Sequence, residues 1–246
     1  MHPTRFFALL AIAGLAIAAD MPSGESLLQR SIEKSGGAAV LAKAKNMTMS
    51  GTVEMPAQNI TGTIVVFEEN GKSYTAMDFT GIGKIEGGFD GETAWENSAL
   101  QGPRILDGDE KAEAMRASRL SLLTGWRDLY KSAKTIGSED VDGKPVWKVE
   151  MTPKEGKPET FFFDRDSGLL VRTTAVHSTP LGDISAESTM SDFRPVDGIL
   201  TPFTLTETAM SQKIVTHFKE VSYNAPIPKD RFDLPAAIKS LPHKNP

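Results

Sequence analysis

From Met47 onward, apolar and polar residues alternate with a period of two. Trp147, Val149 and Met151 alternate with Val146, Lys148 and Glu150. Ile184, Ala186 and Met190 alternate with Ser185, Glu187, Thr189 and Ser191, and Phe203 and Leu205 with Thr204, Thr206 and Thr208. Alternation of this kind gives a strand one wet face and one buried face, the habit of antiparallel sheet. Turn residues separate the alternating runs: Asn70-Gly71, Asp90-Gly91, Asp142-Gly143, Ser167-Gly168 and Asp197-Gly198. Asn-Gly and Asp-Gly tolerate positive φ and favour hairpins. The pattern predicts a mainly β chain of roughly eleven antiparallel strands.

Two stretches depart from that rhythm. Ser23 to Lys45 reads as helix, with Ser23 as N-cap, Glu25 in the first turn and a break at Gly36-Gly37. Asp109 to Leu129 lies in a proline-free window and carries good helix formers, with Ala112, Met115, Leu122 and Trp126 along one face. It predicts one internal helix placed to cover a sheet face. Ahead of both, Arg5 and the uncharged run Phe6 to Ala19 resemble a secretory signal peptide at residues 1–19, cleaved after Ala18 or Ala19. The run is shorter than the roughly 20 residues of a membrane span. Residues 20–235 then form one domain, and 236–246 a surface tail.

Composition narrows the chemistry. The 246 residues include no cysteine, which excludes disulfides, Cys-type zinc sites, thiol nucleophiles and a Cys-linked lipid anchor. The formal charge of −5 argues against nucleic acid as a partner, since phosphates call for a basic footprint. Gly71-Lys72-Ser73 lacks the first glycine of a phosphate loop, where Val66 stands, and Gly81, Gly83, Gly87 and Gly88 read as bent strand. Asp164-Arg165-Asp166-Ser167-Gly168 starts like a calcium loop but has Ala175 where the closing Glu belongs, so a hairpin turn is expected. Capping accounts for Asp107-Gly108-Asp109-Glu110. His177 and His217 have no partner at metal spacing and no nucleophile elbow accompanies them. No catalytic residue, metal or cofactor is expected.

What remains is apolar. Met77, Phe79, Trp95, Trp147, Met151, Phe161 and Phe163 are candidates for the wall of a ligand cavity, with Met115, Leu122 and Trp126 on the covering helix. A wide curved sheet has more apolar inner surface than a few short helices fill, and ligand cavities run to about 300–1,000 Å³. Ordinary core packing is the competing reading for each of these side chains.

Several segments together resemble the LolA-like family, which includes the periplasmic lipoprotein carrier. Gly36-Gly37 with Leu41, Lys43, Lys45 and Gly51 resembles its helix-to-strand entry, and Phe89-Asp90-Gly91-Glu92-Thr93-Ala94-Trp95 its Asp-Gly-x-x-x-Trp hairpin. Asp192 to Phe203 looks like its late hairpin, and Asn224 to Pro228 with Phe232-Asp233-Leu234-Pro235 its closing segment. The resemblance implies an incomplete antiparallel half-barrel wrapped around helices, in the periplasm. It further implies a non-enzymatic binder of lipid or lipoprotein acyl chains. An envelope sensor or adaptor holding a protein partner is the alternative. The carrier's hairpin arginine is missing from Glu69-Asn70-Gly71-Lys72, so its lid residues do not carry over.

Overall fold

The computed structural model describes residues 21–242, apart from 70, 100 and 180–181. The expected signal peptide, Asn70 of the Asn70-Gly71 turn and His243 therefore lie outside the described residues.

The chain enters through α1 (Gly24–Lys34), capped by Ser23, whose Oγ accepts from the Ser26 N–H at 3.1 Å. Gly36, at φ +125°, ends this segment where a Cβ would stand 2.4 Å from the Gly198 carbonyl oxygen, so only glycine lets the turn reach that hairpin. A short α2 (Ala38–Leu41) follows. Six strands come next: β1 (Asn46–Met55), β2 (Ile60–Glu69), β3 (Lys72–Phe79), β4 (Gly83–Phe89), β5 (Ala94–Ser98) and β6 (Gly102–Leu106). Then come α3 (Gly108–Ala117) and α4 (Trp126–Leu129). Seven strands complete the sheet: β7 (Tyr130–Val141), β8 (Lys144–Pro153), β9 (Glu159–Asp164), β10 (Leu170–Thr179), β11 (Gly182–Val196), β12 (Ile199–Ala209) and β13 (Gln212–Tyr223). A last turn, α5 (Ala236–Lys239), lies in the tail.

All thirteen strands form one antiparallel sheet in the order β6-β5-β4-β3-β2-β1-β13-β12-β11-β10-β9-β8-β7. That is two more strands than the alternation predicts. Strands as short as β5 and β6 carry too few residues for the period to register. The chain starts mid-sheet at β1 and steps outward to one edge, β6. The α3–α4 segment carries it to the other edge, β7, and it steps back to pair with β1 through β13.

This path curls the sheet. In a flat sheet, β5 and β10 would stand eight strand spacings apart, roughly 38 Å. Yet α3 packs against both, so the sheet bends around the helix without closing, as β6 and β7 remain separate edges. The expected single helix over Asp109–Leu129 is broken in two. At the end of α3 the Ser118 hydroxyl turns back and donates to the Met115 carbonyl at 2.8 Å, a local bond that competes with helix continuation.

Two apolar clusters occupy the inner face. One joins Leu27 and Leu28 of α1 to Trp126, Leu129, Tyr130, Val149, Met151, Phe161 and Phe163. The other joins Val53, Ile64, Val66, Phe79, Phe203 and Phe218. A third lies on the outer face, where Tyr74, Ala76 and Trp95 are covered by Phe232 and Ile238. The expected surface tail is thus partly core, because Ile238 is fully buried over Trp95's side of the sheet.

Candidate functional site

Three side chains of α3 fasten it across the curled sheet. Glu110 takes a two-pronged bond from Arg104 of β6, at 2.8 and 2.9 Å. Glu113 accepts from Nδ1 of His177 on β10 at 2.6 Å. Arg116 donates to Glu159 of β9 at 2.7 and 2.9 Å and to the Glu155 carbonyl at 2.8 Å. These positions recur every three residues, which places them along one side of a helix. The spacing was visible in the sequence, although capping alone accounts for Glu110 there.

Beneath α3 the curl encloses a part-open pocket of about 500 Å³. Its apolar lining comes from Leu106, Ala114, Ala117, Leu122, Phe161, Ala175 and Ala186. Its polar lining comes from Thr173, Ser188 and Tyr130, and from the α3 anchors together with Glu96, which also pairs with Arg104. The hydrogen bond to Glu110 holds Arg104 firmly protonated, and the one to Glu113 raises His177 above its ordinary value. Burial pushes the Tyr130 phenol up; its hydroxyl donates to Glu159 at 3.0 Å. On the inner face of neighbouring strands, burial raises Glu207, and raises Glu68 to about 7.

Of the ten residues the sequence suggests for a cavity wall, Leu122 and Phe161 line this pocket. Met115 packs beside it, part-buried, against the first inner cluster. Trp126, Trp147, Met151 and Phe163 belong to the packing of that cluster under α1. Met77 and Phe79 belong to the second inner cluster. Trp95 points to the outer face, paired across strands with Gly88 and Ile105 and stacked beside Tyr74 at 6.2 Å. The pocket also differs from the expected apolar wall, since four glutamates and two arginines line it.

The calcium-loop-like run settles on local geometry. Asp164 Oδ1 accepts from the N–H groups of Asp166 and Ser167 and from Ser167 Oγ, making the expected turn. Among the described residues no cluster of three or more His, Asp or Glu is placed to hold a metal. His217 lies on the exposed outer face, its Nδ1 3.1 Å from Thr204 Oγ1 and its Nε2 3.5 Å from Glu54. No helix among the described residues is long and apolar enough to cross a membrane.

No sequence-family model matches the chain, and no curated protein sequence does. Solved structures do. A LolA superfamily protein from Nitrosomonas europaea superposes with a TM-score of 0.55 at 11% identity, covering 86% of this chain and 98% of its own. A domain described as outer-membrane lipoprotein-sorting, from Vibrio parahaemolyticus, gives a TM-score of 0.53 at 12% identity, covering 85% and 96%. At such identities the likeness speaks for architecture alone, and here that architecture is an open, curled antiparallel sheet crossed by a helical segment. The chain has the LolA-like fold.

Proposed function

We propose that this chain is an exported, non-enzymatic binder or carrier of an acyl chain, held in the pocket beneath α3. The observation that carries the reading is the pocket itself: about 500 Å³, apolar in the larger part of its lining, and spanned by a helix tied to both halves of the sheet. Its volume falls within the roughly 300–1,000 Å³ of small-molecule sites. Burying about ten methylenes there contributes of order 8 kcal/mol before the costs of immobilising the chain. The described similarity of a lipoprotein-sorting domain supports the same class of ligand. Export rests on the basic, then apolar, start of the sequence, and the periplasm on the LolA-like resemblance. The binding is burial without covalent chemistry, so shape and the charged rim set selectivity.

Native mass spectrometry of the mature chain purified from the cell envelope tests this. A bound mass in the range of a lipid or acylated peptide, displaced by added detergent monomer, is the expected result. A clean unliganded mass, with no heat on titrating single-chain amphiphiles, overturns it.

A further inference from the structure

The charges around the pocket choose among amphiphiles. Four carboxylates line it, Glu96, Glu110, Glu113 and Glu159, against the guanidiniums of Arg104 and Arg116. Each cation is already engaged. Arg104 is shared between Glu96 and Glu110, and Arg116 is held by Glu159 and the Glu155 carbonyl. His177 is committed to Glu113, and Glu207 lies near enough to act on it electrostatically. With His177 neutral the lining carries two negative charges in excess, and protonating His177 still leaves one.

A carboxylate or phosphate head entering this space meets like charge and finds no unengaged cation. A cationic head meets the opposite field, and an uncharged head is indifferent to it. Charges at such distances in a partly enclosed site act through a dielectric well below that of water. Resting on the acyl-binding reading above, we infer that the pocket selects amphiphiles whose polar end is cationic or uncharged, and rejects carboxylate and phosphate ends. The carboxylates facing the ligand, and not the apolar floor, make the selection.

The test is calorimetric titration of the full mature chain at low salt and neutral pH. Three twelve-carbon probes are used below their micelle concentrations: dodecyltrimethylammonium, dodecyl maltoside and dodecanoate. The expected result is that dodecyltrimethylammonium binds at least about tenfold more tightly than dodecanoate. Dodecyl maltoside falls between, and raised salt narrows the spread. Equal affinities, or tighter binding of dodecanoate, overturn the inference while leaving the acyl-binding reading in place. Binding of none of the three overturns both. A second arm uses E96Q/E110Q, which releases Arg104 from both carboxylates. With folding verified by circular dichroism, dodecanoate affinity rises about tenfold relative to the parent. An unchanged ratio of dodecanoate to dodecyltrimethylammonium affinity in that folded variant counts against the assignment of selectivity to these carboxylates.

Discussion

Nδ1 of His177 donates to the Glu113 carboxylate at 2.6 Å, tying the middle of α3 to β10. The bond raises the imidazole above its ordinary value of 6.5, and the nearby carboxylates Glu159 and Glu207 add to it, against the opposing effect of burial. The native chain therefore keeps the His177 proton in a pH range where the unfolded chain releases it. The stabilisation is full below about pH 6.5 and is lost as pH rises through the raised native value. His177→Ala is expected to lower the melting temperature most near pH 5.5, with the deficit narrowing by pH 8.5. Because the imidazole is part-exposed, the pH-dependent part stays under about 1 kcal/mol. A deficit that does not change with pH would show that the pair holds α3 by packing alone.

Glu68 has a dependence of the same sign, set at lower pH and by burial instead of a partner. It sits on the inner face of β2 opposite Met47, close enough to Tyr223 to oppose that phenol's ionisation. Burial raises its carboxyl from 4.5 to about 7. Between those values the native state binds a proton that the unfolded state has lost, so stability falls as pH climbs from 4.5 to 7 and the cost persists above. Glu68→Gln removes the ionisation. Chemical denaturation should find the variant more stable than the parent by about 1–3 kcal/mol at pH 8, and no more stable at pH 4.

Much of the fold was legible because alternation and turn chemistry are local. The run Val146 to Met151 does form β8, and Asp142-Gly143 and Asp197-Gly198 adopt the paired positive φ values that their residue types favour. Alternation also sets Trp95 and Glu96 on opposite faces of β5, but it does not say which face the sheet will enclose. That depends on the direction of curl, which is set by where the α3–α4 segment crosses. Leu122 and Phe161 mark the pocket, and the other apolar candidates lie away from it for a related reason. The largest side chains complete the clusters under α1 and around Phe79, whereas the open space is lined by alanines and by one polar stripe on α3. Small residues leave room precisely where sequence gives them no prominence.

The tail supplies a prediction about the outer face. Ile238 is fully buried in the cluster that contains Trp95 and Phe232. Ile238→Ala should cost about 2–4 kcal/mol by urea denaturation, the range for an aliphatic side chain removed from a packed site. The nearest indole in that cluster is Trp95, so a red shift of its fluorescence should accompany the loss. Dodecyltrimethylammonium binding at the opposite face should be unchanged.

The β12–β13 hairpin breaks the turn rule. Met210 and Ser211 both hold positive φ, 48° and 63°, a conformation that suits Asn and Gly. Met210 is 67% exposed, so its side chain contributes little packing to offset the strain. Replacing the pair with Asn-Gly should stabilise the chain by about 1 kcal/mol and leave the pocket untouched. A variant no more stable than the parent in thermal unfolding would show that the turn is not strained.

Arg116 decides whether charge or apolar packing secures α3. Its guanidinium is nearly buried, 6% exposed, and Glu159 is 16% exposed, so each depends on the other for compensation. With Arg116→Met, Glu159 retains only the Tyr130 hydroxyl at 3.0 Å among the side-chain partners described. An uncompensated, largely buried carboxylate costs about 3–5 kcal/mol. Adding Glu159→Gln removes that charge, and a well-packed neutral pair is often no less stable than the ion pair it replaces. The double variant should therefore recover most of the loss, with a coupling of at least about 2 kcal/mol in the double-mutant cycle. If the losses simply add, the ion pair is incidental and Leu122, Phe161 and their neighbours hold the helix. The distinction bears on binding, because a helix held by charge can yield to an entering chain without opening the apolar clusters on either side.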